Sequence, residues 1–393
     1  MSDVVILSAA RTAIGAFQGA FRDVPAPRLG ARALAGAIER AGLAPTDIEQ
    51  VYLGCVLTAG IGQAPARQAA LAAGCPESTG AITFNKVCGS AMRAVMSAAN
   101  DLRAGDFRIV AAGGMENMSR APYLALGARD GLRLGHGQFV DSMIHDGLWD
   151  PYGDKHMGNC AELCVAKYEF TREQQDDYSR RSYARARAAQ ESGAFAREIV
   201  PVEIEGRKGT TVIDRDEEPF KVDLEKMATL RPAFDKAGTV TAANASKIDD
   251  GAAVLVLSTA EEAARRGLRP IARLVAQASH AQAPDWFTTA PVAAMRKALD
   301  RAGLAVGDID LFEINEAFAV VAMACARELG IPDDRLNVRG GAVALGHPIG
   351  ASGARILVTL LDALAERGGR YGCAGICIGG GEATSVVVER LPG

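Results

Sequence analysis

The sequence predicts an α/β protein made of two similar halves with a long insertion between them. Three observations carry that expectation: an internal echo, an alternation of short apolar runs with helical stretches, and a middle segment that lacks both. The echo begins with Ala41-Gly42-Leu43-Ala44-Pro45-Thr46-Asp47-Ile48-Glu49, which returns 261 residues later as Ala302-Gly303-Leu304-Ala305-Val306-Gly307-Asp308-Ile309-Asp310. Gly89-Ser90-Ala91-Met92-Arg93 returns as Ala351-Ser352-Gly353-Ala354-Arg355 at an offset of 262. Ala112-Gly113-Gly114-Met115-Glu116 is answered by Gly379-Gly380-Gly381-Glu382, shifted by 266. Three echoes in one order at nearly constant spacing indicate a repeated fold.

Along the chain, Val4-Val5-Ile6-Leu7 opens as a strand, with Asp3 and no basic leader ahead of it. Residues 51–56 and 108–111 read as buried strands. Residues 90–104 read as a helix, with Met92, Val95, Met96 and Ala99 at helical spacing. From 118 to 249 the rhythm breaks; the segment is Gly-rich at 127–137 and carries a helix at 172–191. Thr171 with Gln174 three residues on is the capping-box signature that opens that helix. The second half reads as strands at 252–257, 311–314 and 372–378, with helices at 291–302, 317–329 and 352–367. The chain thus divides into 1–117, 118–249 and 250–393. Alternation of this kind predicts mainly parallel sheets covered by helices, with ligands outside the carboxyl ends of the strands.

Composition removes several function classes. At 393 residues, 49% hydrophobic and 23% charged, the chain can bury a large core. Its 43 basic residues against 47 acidic ones, with no basic run, argue against nucleic acid or an anionic membrane surface as partner. Aromatics at 5% are too few for a base-stacking surface. Every apolar stretch breaks before the roughly 20 residues a membrane helix needs. Eight cysteines without disulfide-framework spacing fit a reducing cytoplasm.

Four segments carry chemistry. In Phe84-Asn85-Lys86-Val87-Cys88-Gly89-Ser90, Cys88 sits where a strand ends and a helix begins. The helix N-terminus there favours a thiolate, although a cysteine at such a junction also reads as a small buried apolar residue. The equivalent stretch of the second half, residues 337–355, holds His347 among glycines, with Pro348 biasing it toward extended backbone. His347 thereby falls just before the second of two related helices, on the same sheet edge as Cys88. Cys373-Ala374-Gly375-Ile376-Cys377-Ile378-Gly379-Gly380-Gly381 places Cys377 at a strand end before glycines whose N–H groups can cradle an oxyanion, and Cys373 as a buried strand residue. Glu313-Ile314-Asn315-Glu316-Ala317-Phe318 buries two carboxylates and an amide at a strand–helix junction, which is costly unless they are bonded or used. Asn315 also reads as a plain helix N-cap.

Together these segments resemble the thiolase family: Asn-x-x-Cys-Gly-Ser at 85–90, Asn-Glu-Ala-Phe at 315–318, Gly-His-Pro at 346–348 and Cys-x-Gly-Gly-Gly at 377–381, in the family's order and nearly end to end. The resemblance implies duplicated βαβαβαββ halves of five strands each in an α-β-α-β-α five-layered core, plus an inserted loop domain. It implies that Cys88 is the acylated nucleophile, that His347 activates it, and that Cys377 moves a proton on and off the substrate α-carbon. One oxyanion site would pair His347 with a water held by Asn315; the other would use the N–H groups of Cys88 and Gly379. A thiolate suits such a reaction because it both accepts and releases an acyl group. Further motif matches in and beyond the insertion imply coenzyme A contacts at Leu148, His156, Met157, Phe234, Ala243, Ser246 and Phe318. The implied activity is acyl-CoA C-acyl transfer with CoA thioesters as substrates, no cofactor, no metal and a homotetrameric state formed through residues near 120–140. Glu313 to Glu316 and Phe287 look more like the acetyl-CoA C-acetyltransferase (acetoacetyl-CoA thiolase) branch than the longer-chain degradative 3-ketoacyl-CoA branch, while Glu382 stands where many relatives carry a small or apolar residue.

Two other readings compete. His156, Cys160 and Cys164 offer metal-ligand atoms on one helix face, but i, i+4, i+8 spacing strings them along the helix beyond reach of one ion. A catalytically dead scaffold of the same fold would not need nucleophile, base, second cysteine and amide together.

Overall fold

The computed structural model describes residues 3–207 and 209–392. Strands β1 (Val4–Arg11), β2 (Gln50–Gly54), β3 (Gly80–Phe84), β4 (Ile109–Asn117) and β5 (Asp249–Thr259) hydrogen-bond in the order β3-β2-β4-β5-β1. The second set, β6 (Ala272–Ala281), β7 (Leu311–Ile314), β8 (Tyr371–Ile378) and β9 (Glu382–Arg390), runs β6-β9-β8-β7. A single parallel bridge, Phe312 to Leu336, stands at the outer edge of β7 where a fifth strand would lie. The order first-fifth-fourth-second-third therefore recurs in both halves. The sets meet edge to edge at one corner, where Val5 and Ile6 pair with Arg273 and Ala272.

Helices α1 (Ala26–Arg40) and α2 (Pro65–Ala72) cover the outer face of the first set, and α6 (Ala290–Ala302) with α7 (Ala319–Leu329) covers the second. Between the sheets lie α3 (Ser90–Ala104) and α8 (Ser352–Arg367), giving five layers in the order α-β-α-β-α. Strand alternation makes the layers possible: Val4 and Ile6 point to the central helices, Val5 and Leu7 to the outer ones. The two central helices cross closely. A Cβ on Gly353 would lie 2.5 Å from the Met92 nitrogen, so only glycine permits the approach. Both start where the repeat places them, at Ser90 and Ser352.

Two expectations need correction. Residues 252–257, assigned from sequence to the second half, lie in β5, the fifth strand of the first set, paired with β4 and β1. The sheets are also not mainly parallel. Parallel pairs join only β2 to β3, β2 to β4 and β7 to β8, and every other ladder of the two sets is antiparallel. The physical reason is connection length: the long insertion returns β5 beside β4 from the opposite end, and the Gly379–Gly381 turn folds β9 straight back on β8. The insertion itself contains α4 (Met157–Tyr168), α5 (Arg172–Glu191) and short hairpins, and Thr171 and Gln174 form the capping box expected. Among the described residues no helix is long and apolar enough to cross a membrane.

Candidate active site

The site forms where the carboxyl ends of β3 and β8 meet the N-termini of α3 and α8. Cys88 follows Val87, which is held in the left-handed region at φ 46°. That strain is pinned by Ser90, whose Oγ accepts from the Lys86 N–H at 2.8 Å and donates to the Val87 carbonyl at 2.6 Å. Asn85 Oδ1 accepts from the Val87 N–H at 3.1 Å. Cys88 is the one half-buried cysteine among eight free thiols. The N–H groups of Cys88 itself and of Gly379 both point at its sulfur. Burial nevertheless pushes its thiol up to about 11, with the Glu116 carboxylate adding to the rise against those two N–H groups. The helix N-terminus that favours a thiolate from sequence is outweighed by desolvation, so Cys88 rests as a thiol.

Cys377 ends β8, is fully buried, and lies two residues before Gly379, whose N–H points at the Cys88 sulfur. Burial drives its thiol well above the ordinary range. A Cβ on Gly379 would lie 3.7 Å from both Met157 and Val87, which places the Cys377–Gly379 turn between the nucleophile loop and α4. Lys86 Nζ pairs with Glu382 Oε2 across this turn, tying the two halves at the rim. Cys373 lies buried in β8, its sulfur 3.6 Å from Ser385 Oγ.

His347 is 4% exposed, and its main-chain N–H donates to Asp249 Oδ2 at 2.9 Å. Its Nδ1 lies 2.6 Å from Ser352 Oγ, and that hydroxyl lies 2.9 Å from the Pro348 carbonyl, which can only accept. Ser352 therefore spends its proton on Pro348 and accepts from Nδ1–H, leaving Nε2 with a bare lone pair. Asn315 Nδ2 sits 3.4 Å from that Nε2. Burial, reinforced by the Arg355 charge, lowers the imidazole to about 3, so it is neutral at ordinary pH. Asn315 is not the N-cap of α7; Phe318, in extended backbone, occupies that position and α7 begins at Ala319. Glu316 is a satisfied structural carboxylate, accepting from Tyr178, Ser182, Asn337 and the Val343 N–H.

The remaining candidates fall into two packed groups. Leu148 packs with Cys88 on an apolar cluster of Val56, Leu57, Met118, Met143 and Ile349. In the other group, the His156 ring stacks on Phe234 at 4.6 Å, Phe234 meets Phe318 edge-on at 5.9 Å, and Phe318 meets Phe287 at 6.4 Å. Buried Ala243 and half-buried Ser246 belong to a segment stitched to the Phe318 turn: Ser246 N–H donates to the Ala317 carbonyl at 3.0 Å and Ala319 N–H to the Asn244 carbonyl at 2.8 Å. His156, Cys160 and Cys164 do not converge. Cys160 instead meets Asp150 and Asp285, and Lys155 Nζ supplies Asp285 with a counter-charge at 2.5 Å. A cavity of about 370 Å³ at the seam of the two sheets, between Arg40, Arg197, Ile271 and Asp362, contains none of these residues.

Sequence reasoning missed Ser352 as the orienter of His347, and Glu116 behind Cys88. The signal for Ser352 was present: Ser90 and Ser352 are repeat partners, and each pins the loop before its helix.

The family profile described as the thiolase N-terminal domain matches residues 4–261, and that of the thiolase C-terminal domain matches residues 268–390. The chain is 52% identical to acetyl-CoA acetyltransferase 2 of Arabidopsis thaliana over 392 residues, covering 99% of this chain and 97% of that one. It is 51% identical to an acetyl-CoA acetyltransferase of Cupriavidus necator, covering 99% and 100%. Among solved structures, the Bacillus anthracis acetyl-CoA acetyltransferase superposes with a TM-score of 0.97 at 42% identity, covering 100% of this chain and 99% of that one. The Ascaris suum Acat5 thiolase, solved with coenzyme A, superposes at 0.94 with 44% identity, covering 99% and 100%. With both halves of its sequence, its repeated strand order and its two-cysteine, one-histidine centre in agreement, the chain belongs to the thiolase family.

Proposed function

We propose that the chain is an acetyl-CoA C-acetyltransferase, joining two acetyl-CoA molecules into acetoacetyl-CoA and free CoA, or running the reverse thiolysis, by a ping-pong route through an acetyl-Cys88 thioester. The observation that carries this is the meeting of a half-buried thiol, a second buried thiol and two converging N–H groups at the end of one strand–helix turn. In the first half-reaction His347 Nε2 takes the Cys88 proton as sulfur attacks the thioester carbonyl, and the oxyanion rests on the N–H groups of Cys88 and Gly379. Cys377, protonated because it is buried, gives its proton to the departing CoA sulfur. In the second half-reaction the Cys377 thiolate takes an α-proton from the next acetyl-CoA. The enolate oxygen is held by the imidazolium together with a water on Asn315, whose Oδ1 has no protein partner among the described residues. The enolate carbon attacks acetyl-Cys88, the sulfur leaves with the imidazolium proton, and all three groups return to their starting states.

Coenzyme A lies, in this reading, along Leu148, His156, Met157, Phe234, Ala243, Ser246 and Phe318, and no cofactor enters the scheme. Phe287, buried edge-on against Phe318, closes the acyl end and favours a two-carbon unit over the longer chains of a degradative 3-ketoacyl-CoA thiolase. Thiolysis of acetoacetyl-CoA should exceed that of a medium-chain 3-ketoacyl-CoA by at least about tenfold in kcat/KM, the effect of a few methylenes with no pocket to enter. Equal rates would assign the broader degradative role. We assign the homotetramer to the segment near 120–140, where Leu126, Leu132, Leu134 and Phe139 are 61 to 101% exposed, an apolar surface that calls for cover. Light scattering should return four chains; a stable monomer would refute that assignment.

A further inference from the structure

Glu116, at the end of β4, is fully buried and has no ion pair among the described residues. Its two oxygens instead collect four donors. Oε2 accepts from the N–H groups of Val56 at 3.0 Å and Gly350 at 2.9 Å; Oε1 accepts from the Leu57 N–H at 3.2 Å and from Cys55 Sγ at 3.6 Å. An uncompensated carboxylate at such a place is expensive, and burial lifts its protonation to about 7. What it does there is shown by where the donors lead.

The Val56 carbonyl accepts from Asn85 Nδ2 at 3.4 Å, and Asn85 Oδ1 accepts from Val87 N–H, so that arm ends beside Cys88. Gly350 lies between His347 and Ser352, so the other arm ends on the group that orients the imidazole. The Gly350 peptide is sunk into the strand ends of the first half. A Cβ on Gly350 would lie 2.5 Å from Glu116 Oε2, and Cβ atoms on Gly54 and Gly114 would lie 2.6 and 2.0 Å from the Gly350 carbonyl. One side chain thus joins the Val56–Leu57 backbone, on which Asn85 of the nucleophile loop leans, to the histidine loop of the second half.

We propose that Glu116 is a positioning residue that sets the distance between Cys88 and His347 by clamping the Val56–Leu57 and Gly350 backbones. The proposal rests on the acyl-cysteine reading of the site. A carboxylate suits the task because all its lone pairs accept; a glutamine would turn an NH₂ toward two of the four donors. Aspartate keeps the charge but lacks one methylene of reach, so it cannot hold both loops.

The test compares E116Q, E116D and C55A with the wild type in acetoacetyl-CoA thiolysis, with thermal melting alongside. E116Q and E116D should each lower kcat by about 100-fold, the cost of a displacement near 1 Å between reacting groups. KM for CoA should stay within about twofold, because no CoA-site residue hydrogen-bonds Glu116, and C55A, which removes the longest contact, should stay within about threefold in kcat. A kcat for E116Q near wild type overturns the proposal, as does E116D restoring activity, which would make charge the operative property. A fall in kcat matched by a rise in KM, or failure of both Glu116 variants to fold, assigns the residue to general structure and likewise overturns it. An inactive wild type would sink the acyl-cysteine reading instead, which keeps the two failures apart.

Discussion

Incubated with acetyl-CoA, the wild-type chain should gain one acetyl group; C88S should gain none, and C377S should still gain one. Eight thiols compete for the acyl group, and exposure separates them. Seven are buried, whereas Cys88 is half-buried at the mouth of the site, with two N–H groups aimed at its sulfur. In the proposed route those N–H groups hold the tetrahedral oxyanion, and each such donor is worth about 10²–10³ in rate. Serine at 88 keeps the shape but exchanges a thiol for a far weaker nucleophile and a poorer leaving group, so turnover should fall by at least about 10³-fold. C377S removes the group that protonates the departing CoA and then takes the α-proton; CoA can still leave as a thiolate, so acetylation slows but proceeds on the nucleophile, His347 and both N–H groups that remain in place. It should therefore trap the acetyl-enzyme, with condensation lost. Intact-mass analysis reads all three cases; an adduct surviving C88S removes Cys88 as the nucleophile.

Much of this site was legible because its parts are local in sequence. The starts of α3 and α8, β7 and the capping box of α5 follow from apolar periodicity and caps that act within a few residues. The repeat puts His347 on the same sheet edge as Cys88 through spacing alone. What stayed hidden depends on distant partners. Residues 252–257 are apolar on both faces in either sheet, so nothing in the run itself says that β4 and β1 are its neighbours. The protonation of Cys88 was misjudged for the same reason: a helix N-terminus is visible in a sequence, but the desolvation that outweighs it comes from the whole assembled site. Glu116 was noticed only as the end of a glycine echo, since its donors lie 59 to 234 residues away.

Replacing His347 by asparagine should change the shape of the pH profile as well as the rate. In the wild type, burial and the neighbouring Arg355 hold the imidazole at about 3, and burial holds the Cys88 thiol at about 11. A group lowered to about 3 carries no proton at neutral pH, so the base is ready throughout the working range. A thiol raised to about 11 keeps its proton over that range, so the reactive pair is neutral imidazole and neutral thiol. Transfer within that pair neither takes up nor releases a proton to solvent. The acetylation rate of Cys88 should therefore be flat between these limits, with no inflection near the ordinary histidine value of 6.5. H347N removes the acceptor, and acetylation must then wait for thiolate formed by solvent. Its rate at pH 7 should fall by about 10²–10⁴-fold and climb about tenfold per pH unit toward alkaline pH. Stopped-flow acetylation across pH 5 to 10 distinguishes the cases: a wild-type inflection near 6.5 would mean that the imidazole is charged in acid and that burial and Arg355 do not hold it neutral. A flat profile in H347N would transfer the role of base to another group.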